Sequence, residues 1–272
     1  MKKTGAVIIL YIITIVIIVF VGSFFKDYLS QYYSVIYSNS IASFIFKGFL
    51  IILSFFLIKK LNLFTFIGLN NPFKINHPTA LIVPILIIGI VIISKIDLYL
   101  AVNRYLLILF LFSVIVTGIF EEISMRGILL PLFLKLFNFK KMSLYKGVIL
   151  SSIIFSLLHY MNMFTKDYSF SNATSQVIFA FCIGVYFCGL FFRTGNIISS
   201  ILIHSAFNFA FGTELLEEIR DVNKSPIGSE INNFMELVPT LIVYLVIITI
   251  GILMIRFSDK ESYTKRLEIS NE

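Results

Sequence analysis

The chain has 272 residues, of which 58% are hydrophobic and 14% charged, with a formal net charge of +7. A soluble domain carries about 25% charged residues, so this composition excludes a soluble enzyme or binding module and indicates a polytopic membrane protein. Basic residues in short cytoplasmic loops account for the positive charge, so we expect no nucleic-acid partner.

About eight apolar windows, each near the length that a helix needs to cross a bilayer, follow one another along the chain. They cover residues 5–25, 41–58, 79–94, 104–134, 145–163, 172–192, 195–212 and 238–257. The sequence therefore predicts an all-α fold, in which residues 1–272 form a single transmembrane domain of about eight helices with a buried polar site. The fourth window is too long for a straight span, and Pro131 near its end predicts a kink or a cytoplasmic extension.

The distribution of basic residues predicts the orientation of these helices. With the N-terminus inside, the inner segments hold most of the Lys and Arg residues, among them Lys59, Lys60, Lys135, Lys146 and Arg193. Positively charged loops stay in the cytoplasm, so both termini are predicted to be cytoplasmic. The many Lys, Ile, Phe and Asn residues indicate an AT-rich bacterial genome. We therefore expect a multi-pass protein of a bacterial cell membrane.

Three polar or sulfur-containing side chains within the apolar windows receive no functional assignment. Lys47 falls in the second window, and its long stem is expected to carry the charge toward the membrane interface. Cys182 and Cys188 lie together in the sixth window at a spacing that matches neither a metal nor a redox motif. We expect both cysteines to be buried core residues.

A cluster of ionisable residues lies inside the fourth window. Glu121 and Glu122 are adjacent, and Arg126 follows four residues after Glu122. A charged side chain at the membrane centre costs from about 2.5 to more than 10 kcal/mol, so such a cluster predicts a functional site. Glu122 and Arg126 share a helix face at i,i+4 spacing, which predicts an ion pair. Glu121 is turned about 100° away and remains available for chemistry.

Two further polar motifs lie in later windows. Phe155 precedes His159 by four residues in the fifth window, and His204 precedes Asn208 by four in the seventh. The helical rise places Glu121 about 21 Å, His159 about 20 Å and His204 about 16 Å from the cytoplasmic side. Three separate segments thus bring polar groups to one layer of the membrane. His204 and Asn208 share a helix face and offer two donors to a single oxygen, which suits an oxyanion hole.

The order of these motifs resembles a known family. EExxxR, FxxxH and HxxxN on separate hydrophobic helices are similar to the motifs of the CAAX protease and bacteriocin-processing (CPBP, or Abi) intramembrane proteases, whose superfamily includes the eukaryotic CAAX prenyl endopeptidase. The resemblance covers about residues 104–210, and residues 193–208 resemble the third motif region of the family. Gly127 also fits the pattern, whereas Met125 replaces an aromatic residue common before the arginine.

The resemblance implies a function for each motif residue. Glu121 would activate a water molecule with help from His159, and His204 and Asn208 would stabilise the oxyanion. The ion pair of the fourth window would support the site and belongs to the predicted catalytic set. Phe155 would pack beside the site, where it would contact the substrate.

The resemblance leaves the need for a metal open, because members of this family have been classed both as metalloproteases and as glutamate-dependent proteases. Glu121, His159 and His204 are a candidate zinc ligand set with an open position. However, the chain has no HExxH helix, and the neutral Asn208 is a poor zinc ligand. We favour water activation by glutamate and histidine with no required cofactor, and a divalent metal such as zinc remains the alternative.

The predicted function is that of an intramembrane endopeptidase acting on membrane-associated peptides or proteins. In a bacterium, the resemblance points to processing of a peptide pheromone or bacteriocin precursor, or to self-immunity. One alternative is a non-catalytic membrane regulator or scaffold that partners a sensor or transporter, which we expect to lack part of the polar set. A second is a proton-coupled transporter, which needs polar residues along a path across the bilayer.

Overall fold

The computed structural model describes residues 2–72, 74–137, 143–165, 168–220, 234–259, 263 and 265–267. All regular elements in this part of the chain are helical. In chain order the α-helices are α1 (Lys2–Leu29), α2 (Val35–Ala42), α3 (Gly48–Lys60), α4 (Ile82–Ser94), α5 (Ile96–Ala101), α6 (Arg104–Glu122), α7 (Leu130–Leu136), α8 (Ser143–Leu158), α9 (Asn162–Thr165), α10 (Phe170–Thr194), α11 (Ile197–Phe211), α12 (Glu214–Arg220) and α13 (Phe234–Arg256). The all-α prediction is confirmed for these residues.

Four shorter helical turns join neighbouring helices. Two are π-helical, namely Ser43–Lys47 between α2 and α3 and Ile123–Leu129 between α6 and α7. The other two are 3₁₀ turns at Pro78–Leu81 before α4 and His159–Met161 after α8.

Five helical stretches of the described chain are long and apolar enough to cross a membrane. They are Lys3–Leu29, Val35–Lys60, Arg104–Leu136, Ser143–Thr165 and Phe170–Thr194. These stretches coincide with predicted windows and confirm a membrane protein. The span count of eight remains a prediction, because the helices in the third and seventh windows are shorter. For example, the 15 residues of α11 extend about 22 Å, less than the roughly 30 Å of the hydrocarbon core.

The fourth window is one helical stretch with a widened turn in its second half. The stretch continues from Arg104 to Leu136, and the π-helical turn Ile123–Leu129 stands between its two α-helical parts. Pro131 lies in the first turn of α7. Because proline has no N–H to donate to the preceding turn, the regular α-helical bonding pattern is interrupted here. The interruption of the α-helical pattern therefore lies just N-terminal to Pro131.

Small residues allow the helices around the polar site to approach closely. At Gly118 in α6, an added Cβ would collide with Oγ of Ser205 in α11 and lie 3.1 Å from the Ser205 backbone nitrogen. At Gly189 in α10, an added Cβ would lie 2.9 Å from Cα of Gly251 in α13. Small residues at such crossings are typical of packing between membrane helices.

The turn between α10 and α11 sets the start of the helix that carries His204. Gly195 ends α10 with φ +73°, a left-handed conformation that glycine adopts without strain. The Asn196 side chain then accepts a hydrogen bond of 2.8 Å from the backbone N–H of Ile198 and caps α11. The short connection therefore reverses the chain within a few residues, as the two adjacent windows predicted.

The main apolar core involves most of the described helices. One cluster of buried side chains extends along the sequence from Ile8 in α1 to Leu267 near the C-terminus. Cys182 and Cys188 are both buried without a disulfide, as predicted. The extent of a single domain over residues 1–272 remains a prediction.

Candidate active site

The two adjacent glutamates end α6 in different surroundings. The Glu121 side chain is 21% exposed, whereas the Glu122 side chain is fully buried. The π-helical turn begins at the next residue, Ile123, and π-helical turns occur frequently at functional sites. Glu121 is thus the more accessible of the two carboxylates.

Glu122 and Arg126 form a buried ion pair. Nη1 of Arg126 donates to Oε1 of Glu122 at 2.9 Å, and Nη2 donates to the backbone carbonyl of Gly184 in α10, also at 2.9 Å. The guanidinium carbon lies 5.4 Å from the ring centre of Phe155 and 5.5 Å from that of Phe187. The arginine therefore ties α6, α8 and α10 together around the site.

His204 connects the two glutamates. Its Nδ1 lies 2.7 Å from Oε1 of Glu122, and its Nε2 lies 3.2 Å from Oε2 of Glu121. A carboxylate only accepts hydrogen bonds, so a ring with a proton on both nitrogens satisfies both contacts. The ring also stacks on Phe187 at 4.5 Å. In this arrangement neither ring nitrogen is open to an oxyanion unless the Glu121 contact is exchanged.

His159 lies at the end of α8, near the same carboxylate. Its Nδ1 donates to the backbone carbonyl of Phe155 at 2.8 Å, which leaves Nε2 as the accepting nitrogen of a neutral ring. The Phe155 ring contacts His159 edge-on at 4.8 Å and His204 at 6.2 Å. Glu121 interacts electrostatically with both histidines. Phe155 therefore packs between the two imidazoles.

Asn208 lies one turn beyond His204 on α11 and is half-buried. Its side-chain amide makes no hydrogen bond to any other described residue. The amide thus keeps its donors available on the helix face that carries His204. The structure brings His204 together with both glutamates and with Phe155.

Three contributors to the site had no signal in the motifs. Phe187 stacks on His204, Gly118 allows α11 to reach α6, and Lys47 donates through Nζ to Oγ1 of Thr117 at 2.6 Å. Phe187 is one of 30 phenylalanines and had nothing to distinguish it. Lys47 was visible as a charged residue within an apolar window, but only its tertiary contact relates it to the site.

The candidate zinc ligands are not arranged as a metal site. In the described residues, no group of three or more His, Cys, Asp or Glu side chains is placed to hold a metal ion. Both nitrogens of His204 face carboxylate oxygens, and a ring that donates from both nitrogens has no lone pair for a metal ion. This arrangement of His204 and the two glutamates therefore does not fit a shared metal ion.

The comparisons with known proteins agree with the motif analysis. Residues 103–210 match a family model described as type II CAAX prenyl endopeptidase Rce1-like. No curated protein and no solved structure matches the chain significantly. The matched segment contains all the predicted site residues. It confirms the predicted resemblance to the CAAX protease and bacteriocin-processing family.

Proposed function

We propose that the chain is an intramembrane endopeptidase that hydrolyses peptide bonds of membrane-associated peptides or proteins. The main support for this proposal is that His204 in α11 contacts both Glu121 and Glu122 in α6. The Glu121 side chain is still partly exposed. Buried carboxylates and imidazoles in contact are the groups that general acid–base hydrolysis uses. The family match over residues 103–210 supports the same reaction class.

In this proposal Glu121 is the general base. It takes a proton from a water molecule that attacks the scissile carbonyl carbon, and the Nε2 lone pair of His159 helps to orient that water. The hydrogen bond from Nδ1 of His159 to the Phe155 carbonyl supports this function, because in a neutral ring it leaves Nε2 as the accepting nitrogen. The Glu121 proton then passes to the leaving amine when the peptide bond breaks.

His204 and Asn208 stabilise the oxyanion in the proposed mechanism. Once Glu121 holds a proton, it competes less for the N–H at Nε2 of His204, and this donor turns to the substrate oxygen. The Asn208 amide on the same helix face supplies the second donor. Two donors at a developing negative charge are the usual arrangement of an oxyanion hole.

The remaining motif residues hold the catalytic groups in place. Glu122 accepts from Nδ1 of His204 and pairs with Arg126, while Phe155 packs against His159. This mechanism requires no cofactor. Since both His204 nitrogens contact carboxylates, we prefer it to zinc-assisted hydrolysis.

We also propose a substrate class and a cellular location for the protein. We propose a multi-pass protein of a bacterial cell membrane with both termini in the cytoplasm, which acts on peptides or proteins anchored in the bilayer and on no nucleic acid. Processing of a peptide pheromone or bacteriocin precursor, or self-immunity against a bacteriocin, fits such an enzyme. These substrates rest on the family resemblance, since a fold hosts many functions.

The test uses purified full-length protein in liposomes with a library of quenched-fluorescence peptides that carry a lipid anchor. We expect cleavage by the natural sequence, a loss of at least about 100-fold in Glu121→Gln and His159→Gln, and no loss with a chelator. Chelator-sensitive cleavage that zinc restores would favour the metal mechanism. If Glu121→Gln still cleaves at the natural rate, the assignment of the base is wrong. If the natural protein cleaves no peptide in the library, the result favours a non-catalytic regulator.

A further inference from the structure

Lys47 is a charged residue in a membrane helix that the motifs do not explain. It ends the π-helical turn Ser43–Lys47, which packs against α6, the helix that carries Glu121. It also lies outside the 103–210 segment that matches the protease family. A lysine at membrane depth is costly unless a partner or an aqueous space compensates for it, so its surroundings indicate what it does.

The Lys47 ammonium points to a residue in the turn before Glu121. Nζ donates to Oγ1 of Thr117 at 2.6 Å, and the Thr117 hydroxyl in turn donates to the Ser113 carbonyl at 2.8 Å. Thr117 lies four residues before Glu121 on α6, so their side chains share one face of the helix. Lys47 and Glu121 also interact electrostatically. The ammonium therefore has a partner within the helix bundle, and the interfacial position expected from the sequence stays a prediction.

The charges around Glu121 indicate what the Lys47 ammonium adds to the site. Glu121 and Glu122 carry two negative charges, and Arg126 together with a doubly protonated His204 carries two positive ones. His159 also interacts electrostatically with Glu121. Lys47 therefore adds a positive charge beyond neutrality, close to the base. An extra fixed cation favours negative charge on the carboxylate and on a reacting oxygen near it.

We propose that Lys47 is a positioning residue of the active site, whose ammonium, held by Thr117, keeps the Glu121 carboxylate charged and directed toward the substrate. This inference rests on the proposed function and extends the site to a helix outside the family segment. Both π-helical turns of the described chain then border the site, since one ends at Lys47 and the other begins after Glu122. Such turns often occur at functional sites.

A second lysine provides a matched control. Lys95 also donates through Nζ to a threonine hydroxyl, that of Thr213, and lies 3.5 Å from Glu217. Lys95 directly precedes α5, and Thr213 directly precedes α12. This pair contacts none of the motif residues. Lys95→Met thus removes the same kind of lysine–threonine bond without changing the charge near Glu121.

The kinetic test compares Lys47→Met, Lys47→Arg and Lys95→Met in liposomes with the cleaved peptide. We expect Lys47→Met to lower kcat by about 10- to 100-fold with little change in KM, in the range of electrostatic contacts near a reacting group. Arginine keeps the charge, so Lys47→Arg should recover most of kcat, and Lys95→Met should match the natural protein. A natural kcat in Lys47→Met, or equal losses in the methionine and arginine variants, would overturn the proposal.

A second measurement does not depend on turnover. A hydrophobic carbodiimide reacts with the neutral form of a carboxyl group, and mass spectrometry measures its adduct at Glu121. Removing the Lys47 charge favours the neutral form, so we expect several-fold faster modification in Lys47→Met and the natural rate in Lys47→Arg and Lys95→Met. Equal rates in all variants would reject the inference about Lys47. Absence of peptide cleavage by the natural protein would instead reject the proposed function.

Discussion

Glu121 and Glu122 are chemically identical neighbours that the fold uses in different ways. Glu122 is fully buried between Arg126 and His204, which both donate to its Oε1. Glu121 contacts Nε2 of His204, interacts electrostatically with His159 and Lys47, and keeps about a fifth of its side chain exposed. A buried charge that loses its partner is strongly destabilising, whereas a partly exposed charge is replaced at low cost. The two residues should therefore separate stability from activity.

Replacing each glutamate by glutamine tests this separation. Glu122→Gln leaves the charges of Arg126 and His204 without their shared carboxylate, so we expect the free energy of unfolding to fall by about 3 kcal/mol or more. Glu121→Gln should keep the thermal midpoint of the natural protein in detergent. Thermal unfolding followed by circular dichroism measures both. Equal losses of stability would show that the difference in burial has no energetic consequence.

Sequence spacing predicted the local part of this site and missed the part that depends on tertiary structure. The Glu122–Arg126 pair follows from i,i+4 spacing within one helical stretch, even though a π-helical turn carries the arginine. The bridge from His204 to both glutamates depends on how α6 and α11 cross, which no local pattern specifies. The depth along the helices placed Glu121 and His204 in one layer of the membrane. Depth alone does not show whether His204 bridges the two glutamates or donates to an oxyanion.

At the scale of helices, the crossing of α6 and α11 determines the site geometry. Gly118 lies three residues before Glu121, and Ser205 directly follows His204. The contact between Gly118 and Ser205 thus lies within one turn of both proposed catalytic groups, Glu121 and His204. A methyl group added at Gly118 would push α6 and α11 apart and would separate the Glu121 carboxylate from the His204 imidazole.

We expect Gly118→Ala to damage both packing and activity. The new Cβ would meet Oγ of Ser205 and would lie 3.1 and 3.2 Å from its backbone N and Cα, so rotation of the serine side chain cannot relieve the contact. Overpacking of this kind costs about 1–3 kcal/mol. The measurements are thermal unfolding in detergent and peptide cleavage in liposomes.

Gly89→Ala in α4 is the matched control for this substitution. An added Cβ there would have no atom within 4 Å, and alanine favours a helix over glycine by about 1 kcal/mol. Gly89→Ala should therefore be neutral or slightly stabilising. A neutral effect of Gly118→Ala would mean that α6 and α11 adjust freely, and it would remove the structural basis of the His204 bridge.

The helix boundaries were predictable because apolar runs end at charged or turn-forming residues, but the internal geometry of the helices was not. The window 41–58 indicated one span, and the structure extends it to Val35–Lys60 with a π-helical turn in the middle. Pro131 predicted an interruption of the α-helix, because the loss of its N–H donor can be read from the sequence alone. Its form, a widened turn over Ile123–Leu129, was not predictable from the sequence; this turn carries Arg126 to the rings of Phe155 and Phe187.

At the scale of the whole molecule, hydrogen bonds join distant segments at one end of the bundle. The backbone N–H of Asn76 donates to the Thr194 carbonyl at 2.7 Å, which links the loop after α3 to the end of α10. Arg266 donates through Nη1 to the Gly195 carbonyl at 3.0 Å, and the Tyr263 hydroxyl also binds the end of α10. The loop after α3, the α10–α11 turn and the described residues Tyr263 and Arg266 therefore lie at the same end of the bundle.

The charge at this end predicts which side it faces. Lys59, Lys60, Lys74, Arg193 and Arg266 all belong to these joined segments. Loops rich in Lys and Arg remain in the cytoplasm, so the described C-terminal residues should be cytoplasmic. The span α1 then leads outward from Lys2, and its end at Leu29 should face the exterior.

Cysteine labelling in intact bacterial cells tests this orientation. Ser30 follows α1 and Asn71 lies in the loop after α3, and both are exposed. Cys182 and Cys188 are buried and should react little. A membrane-impermeant maleimide should label Ser30→Cys in intact cells, and it should label Asn71→Cys only after lysis, because Val35–Lys60 crosses the membrane between them. The reverse pattern would place the basic end outside, and labelling of both residues in intact cells would mean that Val35–Lys60 does not cross.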